Sequence, residues 1–210
     1  MKTLRLLVAA CLLSVSGIAA ADPQSYTNIE AFFGRQSAQF LSGGVAYRLA
    51  GSYDLSDTFY TYGQYSNNTF GDFSFGQSGL DSKQSQYMIG LGMHEPVADS
   101  TDWIGRFALA HDKGTASFLT SASAHTGYDI GMGVNTALTT GVELSTFLDH
   151  TTAGMDTTSN LPSISASAGE TILSGSIHVQ MGKNFDLGFT EEFSSLGSEN
   201  RFLISGRWDF

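Results

Sequence analysis

Long apolar runs are what this chain most obviously lacks. Beyond residue 21, nothing approaches the roughly 18 uninterrupted apolar residues of a membrane-crossing helix. Charge is also scarce, at 14% of residues, against roughly 25% in ordinary soluble domains. Lysine and arginine together number 10 against 20 acids. That balance excludes nucleic acid as a partner, because binding it needs a basic footprint. With three prolines there is no room for a Pro-rich linker, and no domain boundary is visible. The single cysteine, Cys11, lies near the amino terminus, so the remainder has no thiol. A chain that crosses an oxidising compartment before folding avoids stray thiols in this way.

What is present begins with a leader. Met1–Arg5 is a short basic region, Leu6–Val15 is apolar, and Ala19-Ala20-Ala21 offers small residues for cleavage. This is the pattern of a secretory signal peptide over 1–21, too short to span a bilayer. Cys11 sits inside the apolar run, which argues against a lipoprotein box. The mature chain is expected to be 22–210, one domain of about 190 residues. Losing Lys2 and Arg5 takes the net charge from -10 to -12.

The mature chain alternates. Ten period-two segments can be read: Tyr26–Phe33, Gly43–Asp54, Thr58–Tyr65, Ser85–His94, Thr101–His111, Gly127–Leu138, Gly141–His150, Thr171–Met181, Phe185–Ser194 and Arg201–Phe210. Successive strand side chains point to opposite faces. One face collects Ile29, Phe33, Tyr47, Ile89, Leu109, Ile130, Leu148 and Phe189; the other is polar. Connections alternate too. Leu55–Asp57, Glu95–Ser100, Thr139–Thr140 and Gly182–Asn184 are short, whereas Gly34–Ser42, Ser66–Gln84, Asp112–Thr126 and Thr151–Glu170 are long. Ser195–Asn200 is intermediate. The long ones, rich in Ser, Thr, Ala and Gly, are expected to be mobile loops.

Placed by height, the apolar-face aromatics form two belts. Tyr53, Phe59, Trp103, Phe185, Trp208 and Phe210 lie at the short-turn end. Phe33, Tyr65, Tyr87, Tyr128, Phe193 and Phe202 lie at the long-loop end. Aromatic belts mark the two interfaces of a bilayer. The last segment, Arg201–Phe210, is apolar at Phe202, Ile204, Trp208 and Phe210 and charged at Arg201, Arg207 and Asp209.

With its terminal aromatic residue, that segment resembles the closing strand of bacterial outer-membrane β-barrels. Tyr26–Ala31, the hairpin Gly51–Phe59, Tyr87–Gly92 and Asp102-Trp103 are similar to a group of small proteobacterial barrels once described as secreted immunity-eliciting factors. The resemblance implies an all-β, up-and-down antiparallel transmembrane barrel in the outer membrane of a Gram-negative bacterium. Ten strands are expected, with eight as the alternative. The periplasmic turns would be short and the extracellular loops long. The implied partners are outer-membrane lipid and lipopolysaccharide, periplasmic chaperones and the barrel-assembly machinery, for which Trp208 and Phe210 would form the signal. A monomer is expected.

Inward charge is the remaining feature. Glu30, Arg48, Arg106, Asp129, Glu143, Asp186 and Arg207 are expected to form an ion-pair network, since buried charges must be paired; Asp54, Glu192, Asp209, His94 and His178 share the inward face. Glu30 would lie between the strands of Arg48 and Arg207. A structural or surface-interaction role with an occluded lumen follows. The alternative is a narrow porin-like pathway for ions or very small solutes, and adhesion through the loops is a third reading. Inward glycines such as Gly90 and Gly92 have no following helix, which excludes a dinucleotide loop; Tyr60 is expected to lie over Gly90.

No cofactor is expected, and no enzyme. None of the five histidines is followed two residues on by the serine that lipid A deacylases carry. An omptin-like rim is limited to Asp149-His150 and His111-Asp112. Rim histidines His111, His125 and His150 sit on separate segments, so no metal site is assigned.

Overall fold

In the computed structural model, the described residues are 26–38, 41–73, 82–116, 123–153, 169–195 and 200–210. The expected leader over 1–21 lies outside them. Ten strands follow one another without a helix: β1 (Asn28–Ala38), β2 (Leu41–Asp54), β3 (Phe59–Phe73), β4 (Ser82–Ala98) and β5 (Thr101–Ala116). Then come β6 (Ser123–Thr139), β7 (Val142–Thr151), β8 (Glu170–Gly182), β9 (Phe185–Ser194) and β10 (Asn200–Asp209). Each pairs antiparallel with its neighbours in sequence, and β1 pairs with β10 to close the barrel. Ten strands are therefore correct, and eight are not. Closure leaves no unpaired edge, which a hydrocarbon environment demands.

The alternation becomes geometry in a particular sense: the apolar face is outside. Phe33, Ile89 and Leu109 are 65%, 67% and 60% exposed, whereas the inward Ala108 and Leu203 are 0% and 1% exposed. Monomeric soluble proteins rarely expose contiguous apolar patches above a few hundred Å². A continuous apolar girdle around a polar interior is the arrangement of a membrane-spanning barrel. Both aromatic belts have members in ring contact. Phe185 and Trp208 lie 6.0 Å apart at the short-turn end. At the other end Tyr65 lies 6.2 Å from Tyr47 and 4.9 Å from Tyr87.

Strands are longer at the loop end than the alternation indicates. β3 to β6 run 15, 17, 16 and 17 residues, beyond the roughly 9–11 that cross a bilayer. Much of the stretch read as loop over Ser66–Gln84 and Asp112–Thr126 is paired strand. Gly34–Ser42 is likewise mostly strand, as β1 reaches Ala38 and β2 begins at Leu41. The physical reason is that a strand clear of hydrocarbon needs no apolar face, so its pattern fades while its ladder continues. Of the loops expected to be mobile, residues 74–81, 117–122 and 154–168 lie outside the described residues.

Two glycines are needed for close approach. A Cβ on Gly92 would lie 2.0 Å from Cζ of Tyr60, whose ring covers it. The expected ring-over-glycine pairing is thus displaced by two residues: Tyr60 opposes Gly92, and Tyr62 opposes Gly90. The β3–β4 ladder continues up to Phe70 opposite Ser82 and sets Tyr65 against Tyr87, where simple pairing of the two segments sets it against Ser85. At Gly131 a Cβ would lie 2.1 Å from Oδ1 of Asp149.

Candidate functional site

The candidate site is the lumen, where four charged groups meet at different heights. The largest is centred on Arg207 of β10. Its terminal nitrogens reach the two carboxylate oxygens of Glu143 at 2.8 and 2.9 Å. Its Nη2 and Nε reach Oδ2 of Asp186 at 2.6 and 3.1 Å. Oδ1 of Asp209 lies 3.5 Å from Nε. One planar guanidinium therefore holds carboxylates from β7, β9 and β10, and only its fork geometry permits that. His178 of β8 extends the cluster. Its Nε2 lies 2.7 Å from Glu30 of β1, and its Nδ1 lies 3.8 Å from Glu143.

Nearer the loop end, Arg48 of β2 donates to Glu192 of β9, across the lumen. Glu192 also accepts from Arg201 at 3.3 Å. The Arg48 guanidinium sits 4.7 Å above the Phe32 ring. On the far wall, Arg106 of β5 grips Asp149 of β7 at 2.9 and 2.6 Å. These two strands are separated by β6, and Gly131 is the β6 residue opposite both. Its missing side chain is what lets them meet. The rings of Phe147 and Tyr62 flank Arg106 at 4.5 and 5.5 Å.

The fourth group floors the lumen at the short-turn end. Tyr26, read as the start of a strand, precedes β1 and turns inward. Its ring stacks on His94 at 4.1 Å and on Tyr60 at 5.1 Å. Its hydroxyl donates to Asp102 at 3.0 Å, and its backbone N–H donates to Asp54 at 3.2 Å. Burial, and then the Asp102 carboxylate, push the phenol up from its ordinary value, so it remains a donor. Tyr26, Tyr60, Tyr62, Ile104 and Ala108 form a buried apolar cluster with Met88 and Phe147 against it. Inside the wall an unfilled space of about 250 Å³ remains, bordered among others by Gln64, Gln86, Ser174 and Ser176.

Every residue expected in the network faces this lumen, but several partners differ. Glu30 opposes Arg207 in the ladder, yet its close partner is His178. Arg48 reaches Glu192 rather than Glu30 because the lumen is narrow enough for a long side chain to cross. Asp129 makes no ion pair among the described residues, and its Oδ1 is buried without a hydrogen-bond partner. Trp208 and Phe210 point outward, 52% and 70% exposed. Glu192, His178 and Arg201 face inward as the alternation places them, whereas Tyr26 and Asp149 were not expected among the inward polar groups. Their signal was parity: Asp149 shares its phase with Glu143. His150 faces out, bonded to Thr171 at 2.9 Å, and His111 faces out, bonded to Thr126 at 2.9 Å. Asp149-His150 and His111-Asp112 are thus split between opposite faces of the wall, and neither pair can act together.

No protein-family profile matches the chain, and no curated protein does. Solved structures match over nearly its whole length. The translocator domain of the autotransporter NalP from Neisseria meningitidis has a TM-score of 0.52 at 8% identity, covering 100% of this chain and 95% of that one. The NanC porin has a TM-score of 0.51 at 8% identity, covering 87% of this chain and 100% of that one. The fold is that of an outer-membrane β-barrel. The KdgM porin, solved in complex with disordered oligogalacturonate, is also similar, with a TM-score of 0.48 at 11% identity over 88% of this chain and 99% of that one. At such identities the likeness concerns the fold, and function must be argued from the lumen and the wall.

Proposed function

We propose that this outer-membrane barrel is a non-catalytic, monomeric wall-and-surface protein whose lumen is closed to solutes. The observation that carries this reading is the Arg207 cluster. It joins five strands across the interior, through Glu30, Glu143, His178, Asp186 and Asp209. Side chains there are 6–27% exposed, so little water separates the charges. The Tyr26 floor blocks the same axis a second time. The remaining 250 Å³ is smaller than the roughly 300–1,000 Å³ of small-molecule pockets.

Insertion places the short turns in the periplasm and the extended β3–β6 wall outside. In that orientation Trp208 and Phe210 sit at the inner interface, where the assembly machinery would read them. Chaperones in the periplasm and lipopolysaccharide in the outer leaflet are the proposed partners.

A second reading rests on the sign of the lumen. Its described carboxylates are Glu30, Asp54, Asp102, Asp112, Asp129, Glu143, Asp149, Glu170, Asp186, Glu192 and Asp209, against Arg48, Arg106, Arg201 and Arg207. Any ion that passed would be a cation. Swelling of proteoliposomes in isosmotic sugar separates the readings for solutes. The closed barrel leaves swelling at the level of protein-free vesicles; swelling in arabinose or a smaller polyol would refute it.

A further inference from the structure

The outside wall of β3–β5 changes character row by row, and this bears on which lipid surrounds the barrel proposed above. The lower rows are apolar, as in Ile89 opposite Leu109 and Leu91 opposite Phe107. Above them Tyr65, Tyr87 and His111 stand directly opposite one another on three consecutive strands. One row higher are Asn67, Ser85 and Lys113, with Lys83 diagonal to Lys113 because it opposes Thr115. Diagonal cross-strand neighbours lie roughly 7–8 Å apart. Asn67 Nδ2 donates to Ser85 Oγ at 2.7 Å and lies 3.4 Å from the Tyr65 hydroxyl. All are on the exterior, and Lys83 and Lys113 are exposed.

Two independent observations give the patch a direction. The first is length. β4 has 17 residues, about six more than a crossing needs, or roughly 20 Å of strand. The patch therefore stands at headgroup height. The second is charge. In a chain of net charge -10, the described exterior cations are Arg35, Lys83 and Lys113 at the loop end and Lys183 in a short turn. Exterior carboxylates Asp57, Glu95 and Asp99 are at the short-turn end, leaving Glu191 at the other. Among the described residues, no exterior carboxylate lies in the rows around Lys83 and Lys113, and neither lysine is held by an ion pair.

We infer that Lys83, Lys113 and His111, above the Tyr65–Tyr87 pair, form an exterior site for a phosphorylated glycolipid of the outer leaflet. Acyl chains lie along Ile89, Leu91 and Phe107. The sugar rests on the tyrosine rings, and the phosphate is met by both lysines. Ammonium groups bind phosphate as point charges, which suits a headgroup that keeps its own mobility.

The inference rests on the membrane reading, and the test separates the two. Native mass spectrometry of the detergent-released barrel would be run with bis-phosphorylated lipid A, with the same lipid dephosphorylated, and with added inorganic phosphate. A basic residue near an anionic surface contributes about fivefold in affinity. The double variant Lys83→Gln/Lys113→Gln is therefore expected to retain about 25-fold less lipid A, and Lys183→Gln to retain it fully. Dephosphorylated lipid should bind as weakly as to the double variant, and millimolar phosphate should not displace the lipid. Equal retention by the double variant, equal binding of dephosphorylated lipid, or displacement by free phosphate would each overturn the site. Heat-dependent gel mobility reports the barrel separately. Its loss in the wild type overturns the membrane reading and the site with it; mobility kept with discrimination lost overturns the site alone.

Discussion

Replacing Arg207 with Met removes the centre of the lumen cluster and keeps the length of the side chain. Three carboxylates, Glu143, Asp186 and Asp209, then face one another, with the His178 ring 3.8 Å from Glu143. The pair is not a surface one: Arg207 and Glu143 side chains are 14% and 13% exposed, and Asp186 is 7% exposed. Exposed ion pairs contribute about 0–1 kcal/mol, but breaking a buried one costs about 3–5 kcal/mol, because it leaves uncompensated charge. With a urea slope of about 2 kcal/mol per M, the unfolding midpoint should fall by about 2 M. The assay is urea titration of the barrel folded into lipid vesicles, followed by Trp103 and Trp208 fluorescence. Adding Glu143→Gln to Arg207→Met should restore part of the loss, since one stranded charge is removed. A midpoint within about 0.3 M of wild type, or no rescue, would refute the view that this cluster is a desolvated network.

Three other perturbations follow from the wall. Gly92→Val should destabilise the barrel by about 1–3 kcal/mol by driving the Tyr60 ring off the sheet; Gly92→Val with Tyr60→Ala should cost less than the sum, measured by the same titration. Ile89→Lys, in the apolar girdle, should cost about 2–4 kcal/mol, and Ser85→Lys, two rows of outward residues higher, about 0–1 kcal/mol; equal costs would mean that the girdle is not in lipid. Phe210→Asp should lower the amount of heat-modifiable protein in outer-membrane fractions while leaving the stability of purified, refolded barrel within about 0.5 kcal/mol.

How much of this was legible in the residues depends on which side of the wall they face. Lipid imposes one requirement on every outward position, so Ile29, Ile89, Leu109 and Ile204 declare their face by parity alone. Strand number and closure followed from the same signal. The lumen imposes no such uniform rule. Parity places Glu30, Arg48 and Arg207 inside but cannot say which arginine meets which acid. That depends on how the strands stagger and on reach across the interior, as Arg48 to Glu192 shows. Tyr26 was legible as inward but not as a floor, because stacking on His94 needs the curvature of the closed sheet. Strand ends above the girdle were misread for the converse reason: Asn67, Lys83 and Thr126 pair as strand without any apolar partner face.

The most direct test of a closed lumen is single-channel recording in planar bilayers, comparing wild type with Tyr26→Ala/Arg207→Ser, which removes the floor and the central cluster together. Wild type should insert without resolvable unitary steps, while the double variant should show cation-preferring steps through the acidic interior. Stable unitary conductance from the wild-type barrel that falls when Glu143 is neutralised would contradict closure and establish the narrow channel instead.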